Sequence, residues 1–224
     1  DLIMSILPQA ERSPIQKTCA AYQSYGAGRM FLAGGKSQHI QQCAVVDLTN
    51  MPRVGFRGTD SASYLTAAGF RLPDEPNRLC HQANGSIVAR LSATEYLVLG
   101  AMQDFGESIA ALEQSWELSD RANYLLPRQD SHAWIQLTGQ SVAFIMAKLC
   151  AVDLSAEAFA AGQIAQTSVA RINAVVMNVS DAQAPKFNLL CDRASALYLW
   201  NVLLDAIAEF DGQAVGIDGL LSIA

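Results

Sequence analysis

The chain contains 224 residues, 51% of them hydrophobic and only 16% charged, which is enough apolar content to bury a large core. Its formal net charge is −6 and its 15 Lys and Arg residues do not cluster, which argues against a nucleic-acid partner. No apolar run approaches the roughly 18 residues that a membrane span needs, so we expect no membrane association. The low charge content also predicts apolar surface that a partner subunit could cover.

Residues 1–45 show little hydrophobic periodicity and include a Gly-rich stretch between Gly26 and Gly35. A segment without an amphipathic pattern does not pack by itself as a helix or a strand. The pattern therefore predicts an N-terminal arm that packs poorly in the isolated chain and docks on a partner.

Residues 46–116 form a first α+β unit. Thr59 or Asp60 can cap its first helix, and Gly69 can end that helix. Apolar residues at spacings of four, three and four predict a second helix that ends at Trp116. The predicted elements are a strand over 54–56, a helix over 61–68, a hairpin over 87–91 and 96–99, and a helix over 105–116.

Residues 117–131, with Pro127 and several charges, are interpreted as a connection, and residues 132–224 as a second unit with a C-terminal tail. The second unit repeats the order of the first. Its predicted elements are a strand over 134–137, a helix over 142–149, strands over 164–169, 174–179 and 187–191, and a helix over 192–209.

Two glycine pairs suggest that the units arose by duplication. Gly139 follows Gly58 by 81 residues, and Gly162 follows Gly85 by 77. Each unit is read as β-α-β-β-α, and this block order favours an α+β fold over a doubly wound parallel sheet. We therefore predict two diverged ferredoxin-like units, with Gly58 equivalent to Gly139.

No constellation of reactive side chains stands out. The cysteine count is odd and no C-x-x-C pair occurs, which is typical of free thiols in a reducing, cytoplasmic compartment. His39, His81 and His132 are not at metal-ligand spacing, and neither a dinucleotide fingerprint nor a P-loop is present. The three tryptophans are interpreted as core residues. We predict no catalytic, cofactor-binding or metal-binding residue in this chain.

Several short segments occur in an order that resembles one family. They are Arg-Ser-Pro-Ile at 12–15, the Pro-rich 72–77, Arg-Leu-Ser-Ala-Thr-Glu-Tyr-Leu at 90–97, Asp-Ser-His at 130–132, and the segments 149–154, 159–162 and 198–200. With the strand-glycine-helix element at 56–65, they resemble the gamma subunit of heterotetrameric sarcosine oxidase. More broadly, the chain is similar to the glycine-cleavage T-protein (aminomethyltransferase) superfamily, which implies a T-protein-like, folate-binding-like fold.

The resemblance implies a partner and a place for each cofactor. In such complexes an alpha subunit carries NAD and a folate-binding domain, a beta subunit carries FAD, and FMN lies between them. The gamma subunit packs against alpha. The implied function is therefore a non-catalytic gamma-type subunit of a complex that oxidises N-methyl amines such as sarcosine and passes the one-carbon unit to tetrahydrofolate.

Two departures from catalytic T-proteins agree with that role. The Asp-Asp pair of those enzymes is replaced by Ala89 and Arg90, and the acid that recognises the pterin is replaced by Asn188. An amide cannot give the charged, bidentate pairing of a carboxylate. The alternatives are a standalone tetrahydrofolate-binding or aminomethyltransferase-like protein, and a related complex that acts on another N-methylated amino acid.

Overall fold

Two β-sheets stack face to face, with helices on both outer faces, in a computed structural model that describes residues 12–18 and 21–222. The strands are β1 Tyr22–Tyr25, β2 Arg29–Leu32, β3 Ala44–Asp47, β4 Arg53–Arg57, β5 Arg78–His81, β6 Ile87–Arg90, β7 Glu95–Leu99, β8 Tyr124–Pro127, β9 His132–Thr138, β10 Ile164–Val169, β11 Ile172–Asn178, β12 Lys186–Asp192 and β13 Gln213–Ala214. The helices are α1 Ser37–Gln42, α2 Ser61–Ala67, α3 Glu107–Gln114, α4 Val142–Leu149, α5 Ala196–Ala208 and α6 Ile217–Leu221, and short 3-10 turns cover Pro14–Thr18 and Arg193–Ser195.

The first sheet has the order β5-β6-β7-β4-β8 and the second the order β10-β11-β12-β9-β3-β13, while β1 and β2 form a separate hairpin. All neighbouring strands are antiparallel except β13 and β3. The predicted α+β, T-protein-like class is confirmed. Three strands follow the first helix of each unit, so both units depart from the β-α-β-β-α order. All three were predicted as segments in the second unit, whereas β5 of the first unit was not predicted.

The segment that precedes each unit completes the sheet of the other unit. Strand β8, which precedes the second unit, pairs with β4 of the first, and β3, which precedes the first unit, pairs with β9 of the second. The segment interpreted as a connection, 117–131, therefore contains an edge strand, and the predicted arm 1–45 ends inside β3. Pairing between distant segments leaves no local signal in the sequence, so this exchange was not predicted.

The expectation that the N-terminal arm packs poorly is wrong for the part that the structure describes. Ile15, Phe31, Ile40 and Val45 are all buried. Their elements are only four to six residues long, which is too short to show a hydrophobic period. Residues 1–11, 19 and 20 lie outside the described residues.

The apolar side chains form three clusters. One lies under α2 and α3 on the first sheet, and a larger one lies under α4 and α5 on the second. The third, which we name the inter-sheet core, fills the space between the sheets; its central residues are Val46, Leu97, Leu99, Trp134, Met177 and Leu190. Both faces of the central strands are therefore covered, since alternate side chains point to opposite faces.

The predicted C-terminal tail belongs to the same core. Val215 and Ile217 are fully buried in the inter-sheet core, and Asp218 of α6 accepts hydrogen bonds of 2.8 Å from the Tyr25 hydroxyl and the Gly34 N–H. These contacts fix α6 against the β1–β2 hairpin. Among the helices of the described residues, none is long and apolar enough to cross a bilayer.

Gly58 and Gly139 are equivalent, as predicted. Each follows the central strand of its unit, precedes a helix, and has a positive φ, 143° for Gly58 and 110° for Gly139. Gly85 and Gly162 are not equivalent, because Gly85 precedes β6, the second strand after its helix, whereas Gly162 precedes β10, the first. Only the pair Gly58 and Gly139 is therefore evidence for the duplication.

Candidate functional site

A cavity of about 310 Å³, which we name the inter-sheet pocket, lies between the two sheets. The second sheet contributes polar side chains from two neighbouring strands, and Asn188 of β12 lies directly opposite Gln136 of β9 in the ladder. Because alternate residues of a strand share a face, Trp134 and Lys186 lie on the same face as this pair. The residues that line the pocket are Leu48, His81, Gly85, Ile87, Gly100, Met102, Gln103, Trp134, Gln136, Val179, Asp181, Gln183, Lys186, Asn188 and Leu220.

Two glycines form part of the wall that the first sheet contributes. Gly85 has a φ of 83°, and a Cβ at this position would lie 2.3 Å from the Gln103 side-chain oxygen. A Cβ at Gly100 would lie 2.8 Å from the Pro52 carbonyl oxygen. A larger residue at Gly100 would therefore clash with backbone, whereas at Gly85 the positive φ disfavours a larger residue and the Gln103 amide would have to move.

Polar atoms buried behind the pocket wall are not all satisfied. Gln136 Nε2 donates to Asn188 Oδ1 at 2.9 Å, so the two amides hold each other in place. Asn188 Nδ2 and Trp134 Nε1 are buried and have no hydrogen-bond partner. Buried N–H groups are nearly always paired in folded proteins, so two unpaired donors at one pocket are unusual.

Charged groups at the pocket neutralise one another. Lys186 Nζ lies 2.6 Å from Asp181 Oδ2. Partial burial alone would raise the pKa of Asp181, but hydrogen bonds from Lys186 and from the backbone of Gln183 and Ala184 outweigh it and lower the pKa. Burial lowers the pKa of His81 more than the nearby Asp181 raises it. The pocket therefore holds one balanced ion pair and a histidine that resists protonation.

The residues singled out from the sequence fall in different places. Asn188 lies in the pocket, but Ala89 is buried in the inter-sheet core, and Arg90 donates to the carbonyls of Pro73 and Asp74. Trp134 and Gln136 were missed as site residues. Their alternation on β9 opposite Asn188 was a usable signal, but Trp134 was interpreted as core alone.

A larger, open groove of about 820 Å³ lies beside His132 at the start of β9. Burial, together with the charges of Arg128 and Arg53, lowers the pKa of His132 to about 4 against the opposing effect of Asp192. The Ser131 hydroxyl lies 2.7 Å from His132 Nδ1 and also donates to the Pro127 carbonyl. These bonds close a turn between β8 and β9, so the pair has a structural role.

Neither metal binding nor thiol chemistry is supported in the part of the chain that the structure describes. No group of three His, Cys, Asp or Glu side chains there could hold a metal ion. Burial raises the pKa of the Cys43 and Cys191 thiols to about 11, which leaves them weak nucleophiles. Cys80 and Cys150 are also free thiols, and Cys19 lies outside the described residues.

Comparisons with known proteins agree on one fold. The sequence profile of the GCVT N-terminal domain matches residues 80–223. A chain of the heterotetrameric sarcosine oxidase from Corynebacterium sp. U-96, in complex with pyrrole 2-carboxylate, is 20% identical with a TM-score of 0.66, and the alignment covers 89% of this chain and 96% of that one. The glycine cleavage system aminomethyltransferase T of Bartonella henselae is 13% identical with a TM-score of 0.66, and the alignment covers 92% of this chain and 58% of that one.

Among curated protein sequences, none matches this chain significantly. At identities of 20% and 13%, the two structural similarities establish the T-protein-like fold and nothing about activity.

Proposed function

Because the chain belongs to the GCVT N-terminal domain family, we propose that it is a non-catalytic, gamma-type subunit of a sarcosine-oxidase-like complex. The complex oxidises an N-methyl amine such as sarcosine and transfers the one-carbon unit to tetrahydrofolate. This chain supplies structure to the assembly and leaves the chemistry to its partners.

The observation that carries the proposal is the nearly complete, reciprocal overlap with one chain of a heterotetrameric sarcosine oxidase. The alignment covers 89% of this chain and 96% of that chain. The overlap with the aminomethyltransferase leaves a large part of that enzyme without a counterpart, because only 58% of it is covered. The correspondence therefore favours a subunit of the oxidase type over an enzyme of the transferase type.

The chemistry of the inter-sheet pocket supports a non-catalytic role. Its deepest polar residue, Asn188, is a neutral amide that cannot exchange a proton near neutral pH. The acid among the lining residues, Asp181, is already paired with Lys186. General acid–base catalysis needs a group whose pKa lies near the working pH, and the carboxyl pKa of Asp181 is shifted away from it.

The proposal assigns the cofactors to other chains. An alpha-type large subunit is the direct partner and carries NAD and tetrahydrofolate, a beta-type subunit carries FAD, and FMN lies between the two. This chain alone is then colourless and binds no metal.

The experiment that tests the proposal is co-expression with alpha-type and beta-type flavin-bearing chains from the same host. We expect a stable complex with a flavin spectrum and sarcosine-dependent turnover, and we expect the chain purified alone to show neither. Recovery of the flavin-bearing chains as a fully active, stable complex without this chain would contradict a structural role.

A second candidate function, a standalone tetrahydrofolate-binding protein, is favoured by the inter-sheet pocket itself. Its volume of about 310 Å³ and its mixed apolar and polar lining are those of a small-molecule site. Calorimetry of the isolated chain with tetrahydrofolate and its formyl form tests this candidate. Heat of binding at one site per chain supports it, and the absence of heat removes it.

A further inference from the structure

The outer edge of β8 is open, although the equivalent edge of β3 is covered. Strand β8 ends the first sheet, whereas β3 has β13 on its outer side in the second sheet. Among the described residues, β8 pairs with β4 alone. The duplication therefore leaves one strand of a matched pair without its outer neighbour.

Strands β3 and β8 correspond residue by residue. In the second sheet, Ala44 lies opposite the residue that precedes Gly139, and in the first sheet Tyr124 lies opposite the residue that precedes Gly58. Because Gly58 and Gly139 are equivalent, Tyr124 corresponds to Ala44, and the residues that follow them correspond in order.

The corresponding residues differ in burial. Residues 44–46 are each 0% exposed, whereas Tyr124 is 53% exposed and Leu125 and Leu126 are partly exposed. Leu118, in the segment that leads to β8, is 71% exposed. An apolar strand with this much exposed surface is typical of an interaction site.

The backbone of β8 offers the hydrogen bonds that β13 makes with β3. The Val45 carbonyl accepts from the Val215 N–H at 2.9 Å, so the N–H and the carbonyl of Val45 point toward β13. By the correspondence, Leu125 points both groups away from β4, and neither bonds to another described segment. Pro127 has no N–H and ends this open stretch. The open stretch is therefore short, like the two-residue strand β13.

The cover of β3 shows what kind of segment fits the open edge. Strand β13 runs parallel to β3 and leads into Val215, which is 0% exposed in the inter-sheet core. A segment that pairs with β8 in the same way runs parallel to it and carries an apolar residue at the position of Val215. Since β13 is already paired with β3 in every copy of the chain, this segment comes from a different protein. Addition of an extended peptide to a free strand edge is a recurrent mode of recognition.

We propose that the outer edge of β8 binds a short extended segment of the alpha-type subunit, which runs parallel to β8 and pairs with the Leu125 backbone. The inference rests on the proposed function, because it takes the partner from the same assembly. It adds the surface through which that partner is bound.

Hydrogen–deuterium exchange tests the proposal, with the Val45 amide as the internal control. Exchange is measured on the full chain alone and in its assembly with alpha-type and beta-type chains. An amide that faces solvent exchanges quickly, whereas an amide in a strand ladder is protected. We expect the Leu125 amide to exchange at least about tenfold more slowly in the assembly, and the Val45 amide to be protected in both states.

Two substitutions at Leu125 separate the backbone from the side chain. Leu125→Ala and Leu125→Pro both remove the leucine side chain, but only proline also removes the N–H that points away from β4. Proline is tolerated where the N–H of an edge strand faces outward, so the ladder to β4 is kept. We expect Leu125→Pro to bind the alpha-type chain about tenfold more weakly than Leu125→Ala.

Protection of Leu125 in the assembly alone, together with weaker binding of Leu125→Pro than of Leu125→Ala, would establish the inference. An assembly in which Leu125 exchanges as fast as in the isolated chain, or equal affinities of the two variants, would overturn it and leave the proposed function standing. Protection of Leu125 in the isolated chain would also overturn it, because the edge would then be covered without the alpha-type subunit.

Failure of the unsubstituted chain to assemble with the flavin-bearing chains would overturn both the proposed function and this inference. Circular dichroism checks that each variant folds. If Leu125→Pro does not fold, exchange of the Leu125 amide in the unsubstituted chain still decides between the outcomes.

Discussion

Asn77 and Gly162 occupy matching positions and join the edge strands of the two sheets. The N–H of Leu79, two residues after Asn77, donates to the Gly162 carbonyl at 2.8 Å, and the N–H of Ile164, two residues after Gly162, donates to the Asn77 carbonyl at 2.9 Å. Both residues have positive φ, 59° for Asn77 and 87° for Gly162. Asn and Gly are the residues that tolerate this conformation best, so the exchange is symmetric although the residues differ.

This pairing shows how the duplicated units are held together. Strands β5 and β10 meet at Asn77 and Gly162, and β3 and β8 each complete the sheet of the opposite unit. The two units are therefore interlocked by backbone pairing as well as by the inter-sheet core.

The equivalence of Gly58 and Gly139 predicts that both positions accept only glycine. A Cβ at Gly58 would lie 1.9 Å from the Ala122 carbonyl oxygen, and one at Gly139 would lie 2.4 Å from the Gln42 carbonyl oxygen. In each case the obstacle is backbone next to the exchanged strand. We expect Gly58→Ala and Gly139→Ala each to lower the free energy of unfolding by at least about 3 kcal/mol.

Gly69→Ala is the matched control for these two substitutions. Gly69 also has a positive φ, 90°, but nothing lies within 4 Å of its Cβ position. Gly69→Ala should lower the free energy of unfolding only by the backbone strain of a residue with positive φ, about 1–2 kcal/mol. Urea unfolding of the three variants checks the expectation, and equal losses would show that the close approach to backbone is unimportant.

Arg53 is fully buried, and its guanidinium ties the first unit to the start of the second. Its Nη1 donates to the carbonyls of Thr49 and Met51 at 2.8 and 2.9 Å, and its Nη2 donates to those of Gln129 and His132. Arg53→Leu leaves four carbonyl groups without this donor. We expect the free energy of unfolding to fall by more than about 3 kcal/mol.

Arg57→Leu on the same strand serves as the control for Arg53→Leu. The Arg57 side chain is 67% exposed and lies 3.9 Å from Glu95. An exposed ion pair of this kind contributes less than about 1 kcal/mol. Denaturant unfolding of both variants measures the difference, and similar losses would rule out the linking role of Arg53.

The depressed pKa of His132 predicts a loss of stability in mild acid. Burial, with the charges of Arg128 and Arg53, lowers the pKa to about 4 from its ordinary value of 6.5. Between about pH 4 and about pH 6.5, His132 binds a proton in the unfolded chain but not in the folded chain. The contribution of His132 to the free energy of unfolding is therefore full above about pH 6.5 and is lost as the pH drops toward 4. The urea midpoint should therefore decrease between about pH 7.5 and about pH 5.

His132→Gln should flatten this pH dependence, because glutamine does not titrate. His81→Gln should remove a further part of the pH dependence of the urea midpoint, since burial also lowers the pKa of His81. Urea midpoints of the original protein and of the two variants, measured between about pH 7.5 and about pH 5, test both expectations. A variant His132→Gln with the same slope as the original protein would assign the acid sensitivity to other groups.

The sequence predicted the elements whose signal is local. The helices α4 and α5 have apolar residues at helical spacing, and the β6–β7 hairpin alternates around a short turn, so their existence was confirmed. Strands β3, β5 and β8 are four residues long, and each is defined by a partner strand. Their pairing depends on tertiary structure, and a single sequence does not show it.

The candidate site was only partly visible in the sequence. Asn188 was identified because its residue type departs from a family pattern, but Trp134 looks like any buried tryptophan. Its unpaired N–H arises from packing between two sheets, and the Gln136–Asn188 bond depends on the register of β9 with β12. Such relationships are properties of the folded chain.

The proposed role as a structural subunit is tested most directly by native mass spectrometry of the tagged chain, purified at natural abundance from its own host. The account predicts one assembly that contains this 24.1 kDa chain together with larger flavin-bearing chains in fixed proportion. Recovery of the chain only as a colourless species without flavin-bearing partners would contradict it.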